Sequence, residues 1–219
     1  MLKALVFDFD GVIVDTETQW YYIYRDWLKR MYHYDLSIQD YLVCVGSSSE
    51  RLFAFLKQEL GTDEEIRKFE KQAMTEFIQR TQNLPAMEGV WELGIAAKAK
   101  GLQLAIATSA TRKKPLVHLE RLQLLEYFDV FSTAELSRHI KPAPDIFLKA
   151  AELLGCSSAE CLAVEDSRNG LIAACQAGMP CLIVPNKITE SSDFTGCYRK
   201  LSSLKDLKLE ELIADFQFS

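Results

Sequence analysis

Apolar positions along this chain follow two rhythms. Short runs rich in apolar residues at 2–7, 102–107, 130–132, 161–164 and 181–184 read as strands. Between most of them, apolar residues recur at helical spacing. Several of these stretches close on glycine: 145–154 before Gly155, 171–177 before Gly178, and the segment before Gly101. A glycine just past a helix suits the left-handed backbone of a C-cap. Strand, helix, strand in that punctuation predicts an α/β fold with a doubly wound parallel sheet. Ligands in such folds bind beyond the carboxyl ends of the strands, where the strand order reverses. Asp8, Thr108 and the pair Glu165-Asp166 all fall at predicted strand ends.

The alternation breaks once. From about 16 to 82 there is no convincing strand. Residues 63–82 carry Ile66, Phe69, Ala73 and Phe77 at helical spacing with acids in the first turn, 50–60 are amphipathic through Leu52, Phe53, Phe55 and Leu56, and 19–31 are rich in aromatics. This predicts a helical domain over 16–83, inserted into a core made of 1–15 and 84–219, with junctions at 14–16 and 83–85. Residues 207–218 read as a closing helix.

Composition narrows the function classes. With 219 residues and 48% hydrophobic content, the chain can bury a core without disulfide or metal staples. Net charge is −6 and the longest basic run is Arg112-Lys113-Lys114, which argues against nucleic acid or an anionic membrane as partner. A small anionic substrate stays possible, because its charge can be met locally. The six cysteines form no CxxC pair and most lie in apolar segments, so they are expected to be reduced core thiols of a cytoplasmic protein. The first apolar run is short and ends in Asp8 and Asp10, unlike a signal peptide, and no window is apolar enough for a membrane span. No obligatory protein partner is evident.

The chemistry-bearing residues sit at the strand ends. Asp8 and Asp10 point to the same side of an extended chain and repel unless a cation or a shared proton lies between them. Carboxylates suit magnesium, which keeps waters and takes a few acid ligands plus substrate phosphate. Thr108 and Ser109 offer hydroxyls and, at a helix start, backbone amides for a phosphate. Lys141, locked by Pro142 and Pro144, can neutralise an aspartate and a transferring phosphoryl group. Glu165 and Asp166 would complete a metal site begun by Asp8. Each also has a plainer role: a strand-end turn for Asp8 and Asp10, helix capping for Thr108 and for Asp166 with Ser167, and a surface lysine. Together they match phosphoryl transfer through a covalent aspartyl intermediate.

The four segments Asp8-Phe9-Asp10-Gly11-Val12-Ile13-Val14-Asp15-Thr16-Glu17, Ala107-Thr108-Ser109, Lys141-Pro142-Ala143-Pro144-Asp145 and Val164-Glu165-Asp166-Ser167 resemble, in order, the motifs of the haloacid dehalogenase superfamily. The resemblance is to its branch of sugar-phosphate phosphatases and β-phosphoglucomutase-like proteins and covers nearly the whole chain. It implies a Rossmann-like core with an inserted helical cap that sets substrate specificity. It also implies Asp8 as nucleophile and Asp10 as general acid/base whose carbonyl also faces magnesium. Thr108, Ser109 and Lys141 would hold the phosphoryl group, and Asp166 would ligate the metal, with Glu165 a ligand or support. An acid at position 10 argues against halide chemistry.

The cap departs from the mutases of that branch. Their cap-side histidine falls near Trp20, and after Gly46 the chain reads Ser47-Ser48-Ser49-Glu50-Arg51, with serine where their arginine falls and only Arg51 as a substitute. Thr16, Trp20, Tyr24, Gly46, Ser47, Ser48, Ser49 and Arg51 are the candidate substrate-facing residues, with Trp20 and Tyr24 one turn apart as a wall. The expected activity is magnesium-dependent hydrolysis of a small phosphorylated metabolite, a sugar or polyol phosphate. The alternatives are a phosphosugar mutase and a non-catalytic binding protein on the same fold.

Overall fold

The structure is a computed structural model that describes residues 1–61 and 64–216. The expected helix start at Asp63 and the expected end of the closing helix at 217–218 lie outside the described residues. The strands are β1 (Ala4–Phe7), β2 (Gln103–Ala107), β3 (Val130–Ser132), β4 (Cys161–Glu165), β5 (Cys181–Ile183) and β6 (Arg199–Lys200). They form one parallel sheet in the order β3-β2-β1-β4-β5-β6. The two-residue β6 was not expected; at that length it carries no periodicity to read.

Strand order reverses beside β1. After β1 the chain builds β2 and β3 on one side, then crosses back to place β4 on the other. The register sets Phe7 opposite Val164, and the Asp8 amide continues the ladder to the Val164 carbonyl at 2.9 Å. The residues following β1 and the end of β4 are therefore neighbours at the switch point.

Alternation divides the strands into unlike faces. Leu5, Phe7, Leu104, Ile106, Leu162, Val164 and Leu182 pack with helices α5 (Val90–Ala99), α6 (Lys113–Arg121) and α9 (Leu209–Asp215). The opposite face carries mostly smaller residues, Ala4, Val6, Ala105, Ala107, Cys161, Ala163, Cys181 and Ile183, against α7 (Asp145–Leu154) and α8 (Arg168–Gln176). Short side chains let α7 and α8 lie close to the sheet. Cys161 and Cys181 belong to this face and Cys44 is buried among the inserted helices, all free thiols. The expectation of core thiols fails for Cys175, which is exposed, and holds only in part for the half-buried Cys156 and Cys197.

Between β1 and β2 run α1 (Thr16–Tyr32), α2 (Ile38–Tyr41), α3 (Ser49–Leu60) and α4 (Glu64–Thr81). Asp15 caps α1 by accepting from the Thr18 amide at 3.2 Å, and His33 ends it in the left-handed conformation. These helices build an apolar cluster of their own around Tyr21, Tyr24, Leu28, Leu52, Phe53, Leu56 and Ile66. Trp27 stacks on Phe69 with ring centroids 4.2 Å apart. Ile188, from the loop after β5, inserts into the same cluster. The chain's exit to the helices and its return run side by side, joined by the Met87 amide donating to the Ile13 carbonyl at 2.8 Å. Among the described residues no helix is long and apolar enough to cross a membrane.

The small-residue face has no room for growth. Replacing the fully buried Ala163 by Leu is expected to destabilise the protein by about 1–3 kcal/mol through overpacking. Urea denaturation measures it.

Candidate active site

The segments picked out by sequence meet at the switch point. Lys141 is a fully buried lysine whose ammonium has three protons to place. It donates to Asp8 Oδ1 at 2.7 Å, to Glu165 Oε1 at 2.6 Å and to the Ala107 carbonyl at 2.8 Å. The Phe147 ring lies beneath it, 5.0 Å from the nitrogen to the centroid. Burial by itself lowers the lysine pKa, but Asp8 and Glu165 outweigh it, so the pKa is raised and the ammonium stays charged. The surface-lysine reading is thereby excluded.

One ammonium does not balance this many acids. Burial pushes Asp8 up to about 8; Lys141 pulls it down, while Glu165 and Asp10 push it further up. Asp166 lies well above the usual carboxylate range, through burial first and then Glu165 and Asp8. Asp8, Glu165 and Asp166 each offer a carboxylate oxygen, all within 4.8 Å of one another. Glu165 is already engaged: besides Lys141, its Oε2 accepts from the Asp166 amide at 3.0 Å, the Ser167 amide at 3.1 Å and the Ser167 hydroxyl at 3.0 Å. Asp166 Oδ2 accepts from Asn186 Nδ2 at 2.6 Å, but its Oδ1 is buried with no hydrogen-bond partner. An orphaned carboxylate oxygen beside two further acids fits a hard divalent cation. Asp8 and Asp166 present the available oxygens, while both oxygens of Glu165 already accept hydrogen bonds.

Backbone features hold this cluster together. Gly11, at φ +80°, lets the turn after Asp10 pass against Asp166; a Cβ there would fall 2.2 Å from Asp166 Oδ2. A Cβ on Gly170 in α8 would fall 1.9 Å from the Glu165 carboxylate. Ser167 caps α8, accepting from the Gly170 amide at 3.0 Å, so the capping expected near Asp166 falls to Ser167.

Asp10 is held separately from Asp8. One of its oxygens accepts from the Thr16 hydroxyl and pairs with Lys114. Thr16 is fully buried and serves Asp10; it is not among the residues lining the cavity. Thr108 and Ser109 follow β2 but do not start a helix, because α6 begins at Lys113. The Thr108 hydroxyl accepts from the Ala110 amide at 3.0 Å, which shapes the loop, and Ser109 donates to the Gly46 carbonyl at 3.1 Å.

The loop at 45–51 closes over this edge. Ser47 donates to the Lys141 carbonyl at 2.5 Å and Asn169 donates to the Val45 carbonyl at 2.7 Å. Gly46, at φ +73°, lies so close to the core that a Cβ would meet the Ser167 hydroxyl at 2.1 Å. Arg51 donates through Nη1 to Asn169 Oδ1 at 2.9 Å, which docks the loop, and the structure does not place it among the residues lining the cavity.

Beneath the loop is a cavity of about 430 Å³. Asp8, Asp10, Thr108 and Ser109 line its core side, and Trp20, Tyr24, Gly46, Ser47, Ser48 and Ser49 line its helical side. Sequence reading gave no role to Glu17, Tyr41, Glu70 or Lys114, which also line it. Glu17 and Lys114 had a signal in their nearness to the first and second motifs. Tyr41 and Glu70 had none, since only helix packing brings them in. Burial and Asp10 push Glu17 up to about 7, against Lys114 and a hydrogen bond from the Tyr41 hydroxyl at 3.1 Å.

The sequence profile of haloacid dehalogenase-like hydrolases matches residues 5–184. A Bacillus subtilis protein named "Putative phosphatase YhcW" is 36% identical over 214 residues, 97% of each chain. A Thermotoga maritima protein named phosphorylated carbohydrates phosphatase is 29% identical over 185 residues, 81% of this chain and 82% of that one. Among solved structures, a β-phosphoglucomutase from Clostridium difficile matches with a TM-score of 0.81 at 23% identity, covering 99% of this chain and 98% of the other, and so shares the fold.

The Gly170 contact is testable. Glu165 cannot swing away from a new methyl without releasing Lys141 and the Asp166 and Ser167 amides. Gly170→Ala is expected to cost about 1–3 kcal/mol in urea denaturation. Gly94→Ala, in mid-helix with nothing within 4 Å of the added carbon, is expected to stabilise by about 0.5–1 kcal/mol.

Proposed function

The chain belongs to the haloacid dehalogenase-like hydrolase family, and from that premise we propose that it is a magnesium-dependent phosphatase of small phosphorylated metabolites. The observation that carries this is the buried Asp8, gripped by Lys141 beside the orphaned oxygen of Asp166, with a second, separately held carboxyl at Asp10 facing the same cavity. Binding alone needs no such pair. The name of the Thermotoga relative supports a sugar or polyol phosphate as substrate.

Asp8 acts as nucleophile. Its free oxygen bonds to phosphorus as the ester P–O bond breaks, so one hard displacement becomes two easier ones. Lys141 holds the attacking carboxylate in place and offsets negative charge on the transferring group. Asp10, oriented by Thr16 and Lys114, gives its proton to the departing alkoxide, which is too basic to leave unaided. Asp10 then takes a proton from the water that attacks the aspartyl phosphate, and Asp8 is released as carboxylate with inorganic phosphate. Thr108 and Ser109 bind the phosphoryl oxygens. Magnesium, when held by Asp8 and Asp166, neutralises phosphoryl charge. The helices over 16–83 act as a cap whose 46–49 loop excludes water and faces the leaving group.

Two measurements test this. Asp8→Asn is expected to abolish phosphate release from every ester. In a single turnover, where only the first step is read, Asp10→Asn is expected to slow release of the alcohol from alkyl phosphates by about 10²–10⁴-fold and release of p-nitrophenolate far less, since nitrophenolate leaves without a proton. Equal losses on the two ester types would contradict the role of Asp10. Magnesium at about 100 times its Kd is expected to stabilise the native protein by about 2.7 kcal/mol in thermal denaturation. Asp166→Asn removes that gain, and a gain that survives the substitution would move the metal elsewhere.

A further inference from the structure

Acids line this cavity at both ends, and the two ends differ in how those acids are paired. At the sheet each acid has an ammonium beside it, Asp8 the buried Lys141 and Asp10 the Lys114 side chain. On the cap side, Glu17 from α1 and Glu70 from α4 line the wall. Each carboxylate accepts from one tyrosine hydroxyl, Glu17 from Tyr41 at 3.1 Å and Glu70 from Tyr24 at 2.8 Å, which leaves acceptor capacity on both. Lys114 is the one cation among the described residues lining the cavity, and it pairs with Asp10. Arg51, the nearest cap arginine to the 46–49 loop, is tied to Asn169 at 2.9 Å. Trp20, stacked on Phe77 with centroids 4.4 Å apart, supplies a rigid apolar wall between these polar groups.

We propose that this cavity selects phosphate monoesters whose leaving group carries hydroxyl donors and no second anion, and that Glu70 and Glu17 are the residues that reject bisphosphates. The proposal rests on the reading that the chain cleaves phosphate esters at Asp8. A sugar or polyol chain entering past Trp20 presents O–H donors to Glu70 and to Glu17, which accept through the oxygens that their tyrosines leave free. A distal phosphate at the same place meets two acids and no available cation, in a cleft where like charges are poorly screened. Selectivity here comes from repulsion of the wrong substrate as much as from attraction of the right one. A cation in either position would remove it, which makes the charge of the cap wall the specificity determinant.

The test uses binding, so that it does not depend on turnover. Asp8→Asn protein, with magnesium, is titrated calorimetrically with glucose 6-phosphate against glucose 1,6-bisphosphate, and with fructose 6-phosphate against fructose 1,6-bisphosphate. The monophosphate of each pair is expected to bind at least tenfold more tightly. Adding Glu70→Lys is expected to move the ratio at least fivefold toward the bisphosphate, with Glu70→Gln, which keeps the shape and removes the charge, in between. Bisphosphates that bind as tightly as monophosphates overturn the proposal, and so does a ratio that ignores Glu70→Lys. Phosphate release by the unmodified protein is measured on the same esters. A binding preference without release overturns hydrolysis and leaves the selection standing; release with equal affinities, or with no binding of either ester, overturns the selection alone; neither binding nor release overturns both.

Discussion

A buried ammonium held between two buried carboxylates is the constraint that the rest of this structure serves. Removing one partner from such a group costs about 3–5 kcal/mol, because a charge is left unpaired out of water. The fold must therefore bring the loop at Lys141, the residue after β1 and the end of β4 to one point, and hold them there. Parallel register does the last two, since β1 and β4 are hydrogen-bonded neighbours. Packing does the rest. Glu165 is pinned by the start of α8, and α8 comes that close only because position 170 lacks a side chain and the sheet face beneath is made largely of short residues. The preference for alanine and cysteine on one face of the sheet is thus part of the active site, several residues removed.

The cap is held by weaker means. Where the 45–51 loop meets the core, the contacts are hydrogen bonds: Ser47 to the Lys141 carbonyl, Ser109 to the Gly46 carbonyl, and Asn169 between the Val45 carbonyl and Arg51. Each such bond contributes about 0.5–1.5 kcal/mol net, since water replaces it when broken. Apolar anchoring lies farther off, where Ile188 enters the helical cluster and Lys187 donates to the Tyr22 hydroxyl. Along this edge the inserted helices therefore meet the core through a few exchangeable polar contacts, with the apolar contact set to one side.

Much of this was legible in sequence, for identifiable reasons. Buried parallel strands are continuous apolar runs, so β1, β2, β4 and β5 announce themselves, and α7 ends where Gly155 ends its pattern. The chemical segments were legible because a charged residue at the end of such a run has to be explained. What stayed hidden depends on distance in space. Two residues of β6 have no period. Asn186, which orients Asp166, looks like any loop asparagine until the 166 and 186 loops are seen together. Tyr41 and Glu70 reach the cavity through α2 and α4, whose packing no local pattern encodes. Arg51 shows the opposite case: it follows Gly46 closely along the chain, yet its side chain turns to Asn169 and not to the cavity.

The two sets of acids in this cavity answer to different physics. Asp8 and Asp166 are buried at the sheet edge, where one ammonium meets three acids, and in the proposed reaction their identity follows from the chemistry of the phosphate. Glu17 and Glu70 lie half-buried on helices, each accepting from the hydroxyl of a buried tyrosine, a role that the neutral oxygen of a glutamine fills as well as a carboxylate. Residues that cost little to change and face only the leaving group are the ones through which a shared catalytic core acquires a particular substrate. The sheet edge therefore states the reaction and the cap wall states its object, and in this chain the second statement is written in negative charge.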